Sequence, residues 1–142
     1  FRNTCGQAVH MKTILATGEL GTLKQIYQAS LVAMMAGSDF IKTSTGKEEV
    51  NATLEFGLVM TRAIREYFEN TGYKVGFKPA GGINKAKQAL AWQALMKEEL
   101  GDEWLMPGLF RIGASSLLTD LERQLYHFIT GHYAARYHMP LG

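Results

Sequence analysis

The chain has 142 residues, 46% of them hydrophobic and 20% charged, with a formal net charge of +2. That length and balance suffice to bury a core, which excludes a disordered chain. The 15 lysines and arginines are scattered or sit inside two lysine motifs, so no basic run or aromatic–basic stripe follows a nucleic-acid backbone, and nucleic acid is not an expected partner.

The opening segment, FRNTCGQAVH, starts at Phe1 rather than methionine and shows no clear start of a fold, so the chain reads as an interior piece. Its one cysteine, Cys5, excludes an internal disulfide framework and fits a reducing, cytoplasmic setting, as a small buried or loop residue. His10, His127, His132 and His138 form no HExxH pattern, and no metal site is expected. No apolar stretch approaches the roughly 20 residues of a membrane span, so no membrane partner is expected either.

From residue 11 onward, strand-like and helix-like segments alternate at a spacing of roughly thirty to forty residues, which predicts strand–helix units and a parallel sheet. The first strand is predicted over 11–17, followed by a helix over 23–36 with Thr22 as N-cap, Gly37 as stop and Leu23, Ile26, Tyr27, Leu31 and Met34 on its apolar face. The second strand covers 39–43 and its helix about 53–70, with Phe56, Val59, Met60, Ile64 and Phe68 on one side and Gly72 closing it. The third strand covers 74–78 and ends at Pro79 and the pair Gly81-Gly82. Asn84 then caps a helix to about Leu100 that buries Trp92 and Leu95. The fourth strand is predicted over 109–113, and its helix runs over 117–130 to Gly131. Met34, Met35 and Met60 are assigned to core packing.

Four such units are half of an eight-stranded barrel, whose complete form runs to about 250 residues. The fold class predicted is therefore α/β, the C-terminal half of a TIM (β/α)8 barrel, with residues 1–142 as one partial domain. Half a barrel leaves two sheet edges and an inner face uncovered, with Ile14, Ile41 and Ile112 placed on that face. Self-association, or pairing with a missing N-terminal half, is expected, and residues 1–142 alone are expected to be inactive.

DFIKTSTGK (39–47) and VGFKPAGG (75–82) each place a lysine at the end of an apolar run and follow it with glycine. In a βα barrel the reactive groups sit at the C-terminal ends of strands. Lys42 and Lys78 occupy such ends one unit apart, so they come from neighbouring strands. One strand lysine alone is most simply a snorkelling or salt-bridged residue. Two side by side suggest desolvation and mutual repulsion that lower one amine's pKa, and a neutral amine attacks carbonyls. The loops that follow suit an anion: Thr43, Ser44, Thr45, Gly46 and Lys47 in the first, Gly81 and Gly82 in the second, Gly113, Ser115 and Ser116 at the mouth of the last helix. Glycine and serine also serve as plain turn and cap residues, and it is the convergence of three such loops that points to a phosphate. The first is not a nucleotide P-loop, since Lys47 is followed by Glu48.

Together with KTILATGEL (12–20) and FRIGASSLL (110–118), these segments resemble the four C-terminal strand-and-loop signatures of the deoxyribose-phosphate aldolase family, in the right order and over nearly the whole chain. The extended tail resembles that of animal-type members. The resemblance implies a class I aldolase in deoxyribonucleoside catabolism that reversibly cleaves 2-deoxy-D-ribose 5-phosphate into D-glyceraldehyde 3-phosphate and acetaldehyde without a cofactor. It makes Lys42 the Schiff-base lysine, Lys78 the cation that keeps it neutral, and Thr45, Gly46, Lys47, Gly81, Gly82, Gly113, Ser115 and Ser116 the phosphate and substrate contacts. The chain departs from the family in three ways. No segment corresponds to the earlier strand with the proton-transfer aspartate, Asn84 stands where a basic residue is common, and Tyr133 and Tyr137 are not terminal. Glu19 reads equally as a contact near the site or as a solvated loop carboxylate. A non-catalytic half-barrel that retains phosphate binding or serves as an interaction partner, and another phosphosugar barrel enzyme with a structural lysine pair, stay open as alternatives.

Overall fold

A computed structural model describes residues 1–138. A short helix α1 (Arg2–Cys5) precedes strand β1 (Lys12–Ile14), helix α2 (Leu23–Met35), strand β2 (Phe40–Lys42), helix α3 (Leu54–Thr71), strand β3 (Gly76–Lys78), helix α4 (Ala86–Leu100) and helix α5 (Leu117–Thr130). The strands form one parallel sheet in the order β1-β2-β3, with Lys12, Phe40 and Gly76 in one row and Ile14, Lys42 and Lys78 in another.

Helix limits follow local chemistry. Thr22 accepts the Gln25 N–H at 3.2 Å and Thr53 accepts the Phe56 N–H at 3.1 Å, each satisfying a donor with no partner inside its helix. Gly72 and Gly131 end α3 and α5 in the left-handed conformation. The expected cap of α4 is not made by Asn84. Lys85 holds the cap position, the Gln88 side chain accepts the N–H groups of Asn84 and Lys85, and Asp120 from α5 accepts that of Ala86 at 2.8 Å. An anionic carboxylate at a helix start suits the dipole better than a neutral amide does, and it ties α5 to α4.

The helices cover one face of the sheet. Ile41 and Phe77 point into them and pack with Ile26, Met34, Met60, Ile64, Trp92 and Met96. Ile41 is thus on the helix side, contrary to expectation, because it alternates with Phe40 and Lys42, whose side chains take the other face. Ile112 also packs against this core, and of the three isoleucines expected on the open face only Ile14 lies there, 43% exposed. Met35 is 75% exposed rather than core, and Cys5 is exposed in α1. On the open face the Phe40 ring lies so close over Gly76 that a Cβ there would come within 2.4 Å of it.

The segment expected as a fourth strand pairs with β3 and the residues just after it only through two separate parallel bridges, Phe77 with Phe110 and Ala80 with Gly113. Phe77 donates to Leu109, Arg111 donates to Phe77, Gly113 donates to Pro79 and Gly81 donates to Gly113. The rung missing from this alternation is the one the residue 79 nitrogen would donate, and proline has no N–H. The first strand is likewise shorter than 11–17. Its pairing resumes at Leu15 and Thr17, which donate to the carbonyls of Lys42 and Thr43, but Ala16 between them takes φ 51° and breaks the ladder.

Candidate active site

Lys42 closes β2 and Lys78 closes β3, and the register makes them direct partners. Paired residues of a parallel ladder share a face, so both amines emerge on the side away from the helices. Lys12 lies on that face too. Its Nζ sits 5.7 Å from the centre of the buried Phe40 ring, and the Arg111 guanidinium carbon sits 4.7 Å from the same ring. Burial first, and then the charges of Lys12, Lys42 and Arg111, hold the Lys78 amine below the ordinary lysine value of 10.5. Sequence reading singled out two of these four cations. Lys12 and Arg111 were legible only through strand alternation, Lys12 being two residues before Ile14, and Arg111 standing between Phe110 and Ile112.

Beside the lysines lies an open cleft of about 430 Å³, lined by Lys42, Thr45, Gly46, Lys47, Gly81, Gly82, Gly113, Ser115 and Ser116 together with Ala80, Ile83, Asn84 and Ala114. Three loops from three units therefore meet in one place. Lys78 is not in the lining. It stands behind Gly113, where a Cβ would fall 3.1 Å from its Cε and 2.6 Å from the Ala80 Cβ. Gly113→Ala should accordingly cost about 1–3 kcal/mol through overpacking. The check is a lowered denaturant midpoint at unchanged slope, and a midpoint equal to the parent's would mean that the loop yields freely.

The hydroxyls of Thr43 and Ser44 are not offered to the cleft. Both side chains are fully buried. Thr43 Oγ1 accepts the Ala80 N–H at 2.9 Å, and Ser44 Oγ donates to the Ala80 carbonyl at 2.5 Å. These bonds pin the loop after β3 to the loop after β2, a role no local pattern announced. Gly81 takes φ 95°, and a Cβ on it would meet Asn51 at 2.5 Å, so only glycine fits between the two loops. Ser116 occupies the cap position of α5, whose N-terminus opens on the cleft. Glu19 is exposed in a 3-10 turn outside the lining, and Tyr133 and Tyr137 are exposed.

Residues 1–123 match the DeoC/LacD family aldolase model. The chain belongs to that family. It is 70% identical over 141 residues to the deoxyribose-phosphate aldolase of Mus musculus and 68% identical to that of Homo sapiens, in each case over 99% of this chain and 44% of the relative. It is 47% identical over 120 residues to the enzyme of Agrobacterium fabrum, over 84% of this chain and 45% of the relative. The chain thus spans less than half the length of the curated relatives it matches. Among solved structures, one from Toxoplasma gondii ME49, provisionally described as a deoxyribose-phosphate aldolase, superposes with a TM-score of 0.76 at 26% identity, over 84% of this chain and 47% of that one. A structure described as QR15, an aldolase, gives 0.63 at 26% identity, over 83% and 44%. For this DeoC/LacD chain, no helix among the described residues is long and apolar enough to cross a membrane, and those residues hold no cluster of three or more metal-ligating side chains.

Proposed function

We propose that the chain carries the amine and phosphate-binding side of a deoxyribose-phosphate aldolase, which reversibly cleaves 2-deoxy-D-ribose 5-phosphate to D-glyceraldehyde 3-phosphate and acetaldehyde. The observation that carries this reading is the in-register pairing of Lys42 with Lys78 beside a cleft of backbone donors. Lys42, which lines the cleft, is the nucleophile. Its amine adds to the substrate aldehyde and loses water to form an iminium. The bond between C2 and C3 then breaks as the C3 hydroxyl gives up its proton, and the electron pair passes into the iminium nitrogen to leave an enamine. Protonation and hydrolysis of the enamine release acetaldehyde and restore Lys42. The imine is the electron sink, so the route asks for no cofactor. Lys78 supplies positive charge behind the nucleophile. Thr45, Gly46, Lys47, Gly81, Gly82, Gly113, Ser115 and Ser116 hold the phosphate, with backbone N–H groups and the start of α5 as donors.

The parallel βα units in sequential order and the open face with Ile14 exposed support a further reading, that residues 1–142 form one partial domain, the C-terminal half of a (β/α)8 barrel. A second half-barrel, of this chain or another, would cover the open face. That same face favours one alternative, a non-catalytic half-barrel that binds phosphate. Reduction with borohydride in the presence of acetaldehyde separates them. The aldolase is ethylated at Lys42, with one N–H hydrogen replaced, and a binding-only protein is not.

Ser115 is exposed, so Ser115→Asp tests the phosphate position without disturbing the core. In a full-length protein that carries this chain, the added carboxylate should raise KM for 2-deoxyribose 5-phosphate on the order of tenfold or more while changing that for unphosphorylated 2-deoxyribose little. Equal losses on both substrates would place the phosphate elsewhere.

A further inference from the structure

The loop after β2 already holds an anion, and the anion is its own. Glu48 folds back so that Oε1 accepts the Thr45 N–H at 3.0 Å, while Oε2 accepts the N–H groups of Thr45, Gly46 and Lys47, each at 3.1 Å, and the Thr45 hydroxyl at 3.0 Å. Three successive backbone donors converging on one oxygen form an anion-binding nest. These bonds, led by the Thr45 N–H, hold the Glu48 carboxyl down at about 2, so the occupant is a carboxylate at any working pH. The main chain behind it is fixed independently. Asn51 Nδ2 donates to the Glu48 carbonyl at 2.7 Å, and the Val50 carbonyl packs so tightly on Gly18 that a Cβ there would fall 2.0 Å from it. The carboxylate can therefore leave by rotating its side chain, with the loop staying in place.

We propose that Glu48 is a specificity residue for the phosphate end of the substrate: its carboxylate occupies the Thr45, Gly46 and Lys47 donors as an internal competitor that the incoming phosphate displaces. This rests on the reading that the substrate phosphate binds at this loop. The nest is then pre-formed around an anion, so a phosphate meets no ordering cost, but its apparent affinity falls by the fraction of time the nest is already filled. A phosphate brings roughly −1.5 to −2 charges and three acceptor oxygens, against one charge and two oxygens on the carboxylate. It can win the exchange where a sugar hydroxyl cannot, so unphosphorylated sugars leave the nest closed on Glu48.

The test is calorimetric titration of the protein with inorganic phosphate. Glu48→Ala should bind phosphate on the order of tenfold more tightly than the parent, because the competitor is gone. Glu49→Ala removes the same charge one residue along, where Glu49 is exposed, and should change the affinity by about twofold or less, as expected for a screened surface charge. Unchanged or weaker binding in Glu48→Ala, or equal tightening in Glu49→Ala, would overturn the proposal. The unsubstituted protein offers a second readout that does not depend on how the variant folds. Phosphate should shift the amide resonances of Thr45, Gly46 and Lys47 in step with the Glu48 carboxyl carbon, and a carboxyl resonance that stays still overturns the exchange. Borohydride trapping on the same samples keeps the two ideas apart. Trapping at Lys42 without the phosphate gain sinks the Glu48 proposal alone, whereas absent trapping sinks the aldolase reading and leaves the titration to decide on Glu48.

Discussion

Replacing Lys42 with alanine in a full-length protein that carries this chain is expected to abolish cleavage of 2-deoxyribose 5-phosphate, by at least about a thousandfold in kcat, because no other group in the lining supplies an amine at the end of β2. Phosphate affinity should survive almost unchanged. The anion donors belong to the loops after β2 and β3 and to the start of α5, and those loops are held by Thr43 and Ser44 on Ala80 rather than by Lys42. The measurement pairs single-turnover kinetics with phosphate titration of the same variant. Retained cleavage above a trace would remove Lys42 from its role. Lost phosphate binding would mean that the lysine also holds the anion.

Lys78→Leu, in a full-length protein that carries this chain, should lower the rate of cleavage at neutrality on the order of tenfold, because the nucleophile loses the positive charge behind it. Stability should respond in the opposite sense. Burial and three nearby cations hold Lys78 below 10.5, so the unfolded chain binds its proton more readily than the folded one. That contribution penalises the fold below the lowered value and is relieved as pH rises from there towards 10.5. The leucine variant should therefore be more stable than the parent at neutral pH and lose this advantage in alkali. A rate equal to the parent's would mean that the charges of Lys12 and Arg111 suffice without Lys78.

The helices were legible because their signals are local. Thr22, Thr53, Gly72 and Gly131 mark ends within a few residues of where the backbone turns, and α5 runs over 117–130 to its Gly131 stop as expected. Apolar residues along a helix describe a face, however, not its partner. Leu118, Leu125, Phe128 and Ile129 lie on α5 and are exposed, Phe128 at 87%. The cap of α4 was misassigned for a related reason. Asp120, which accepts the Ala86 N–H, is remote in sequence and enters only when α5 packs beside α4.

The amino-acid sequence by itself determined the order of the βα units and the pairing of the two lysines at strand ends. It also marked the glycine and serine loops that follow them, since strand period and turn chemistry act over a few residues. Tertiary structure alone decided the rest. Lys12 and Arg111 joined the lysine pair across the Phe40 ring. Ile41 turned to the helices while Ile14 took the open face, and Thr43 and Ser44 turned from the cleft to the Ala80 backbone. The fourth strand broke into two bridges because the donor missing at Pro79 matters only to a neighbour pairing with it there. Each of these outcomes is a contact between residues far apart in the chain, and its free energy exists only once the sheet has brought them together.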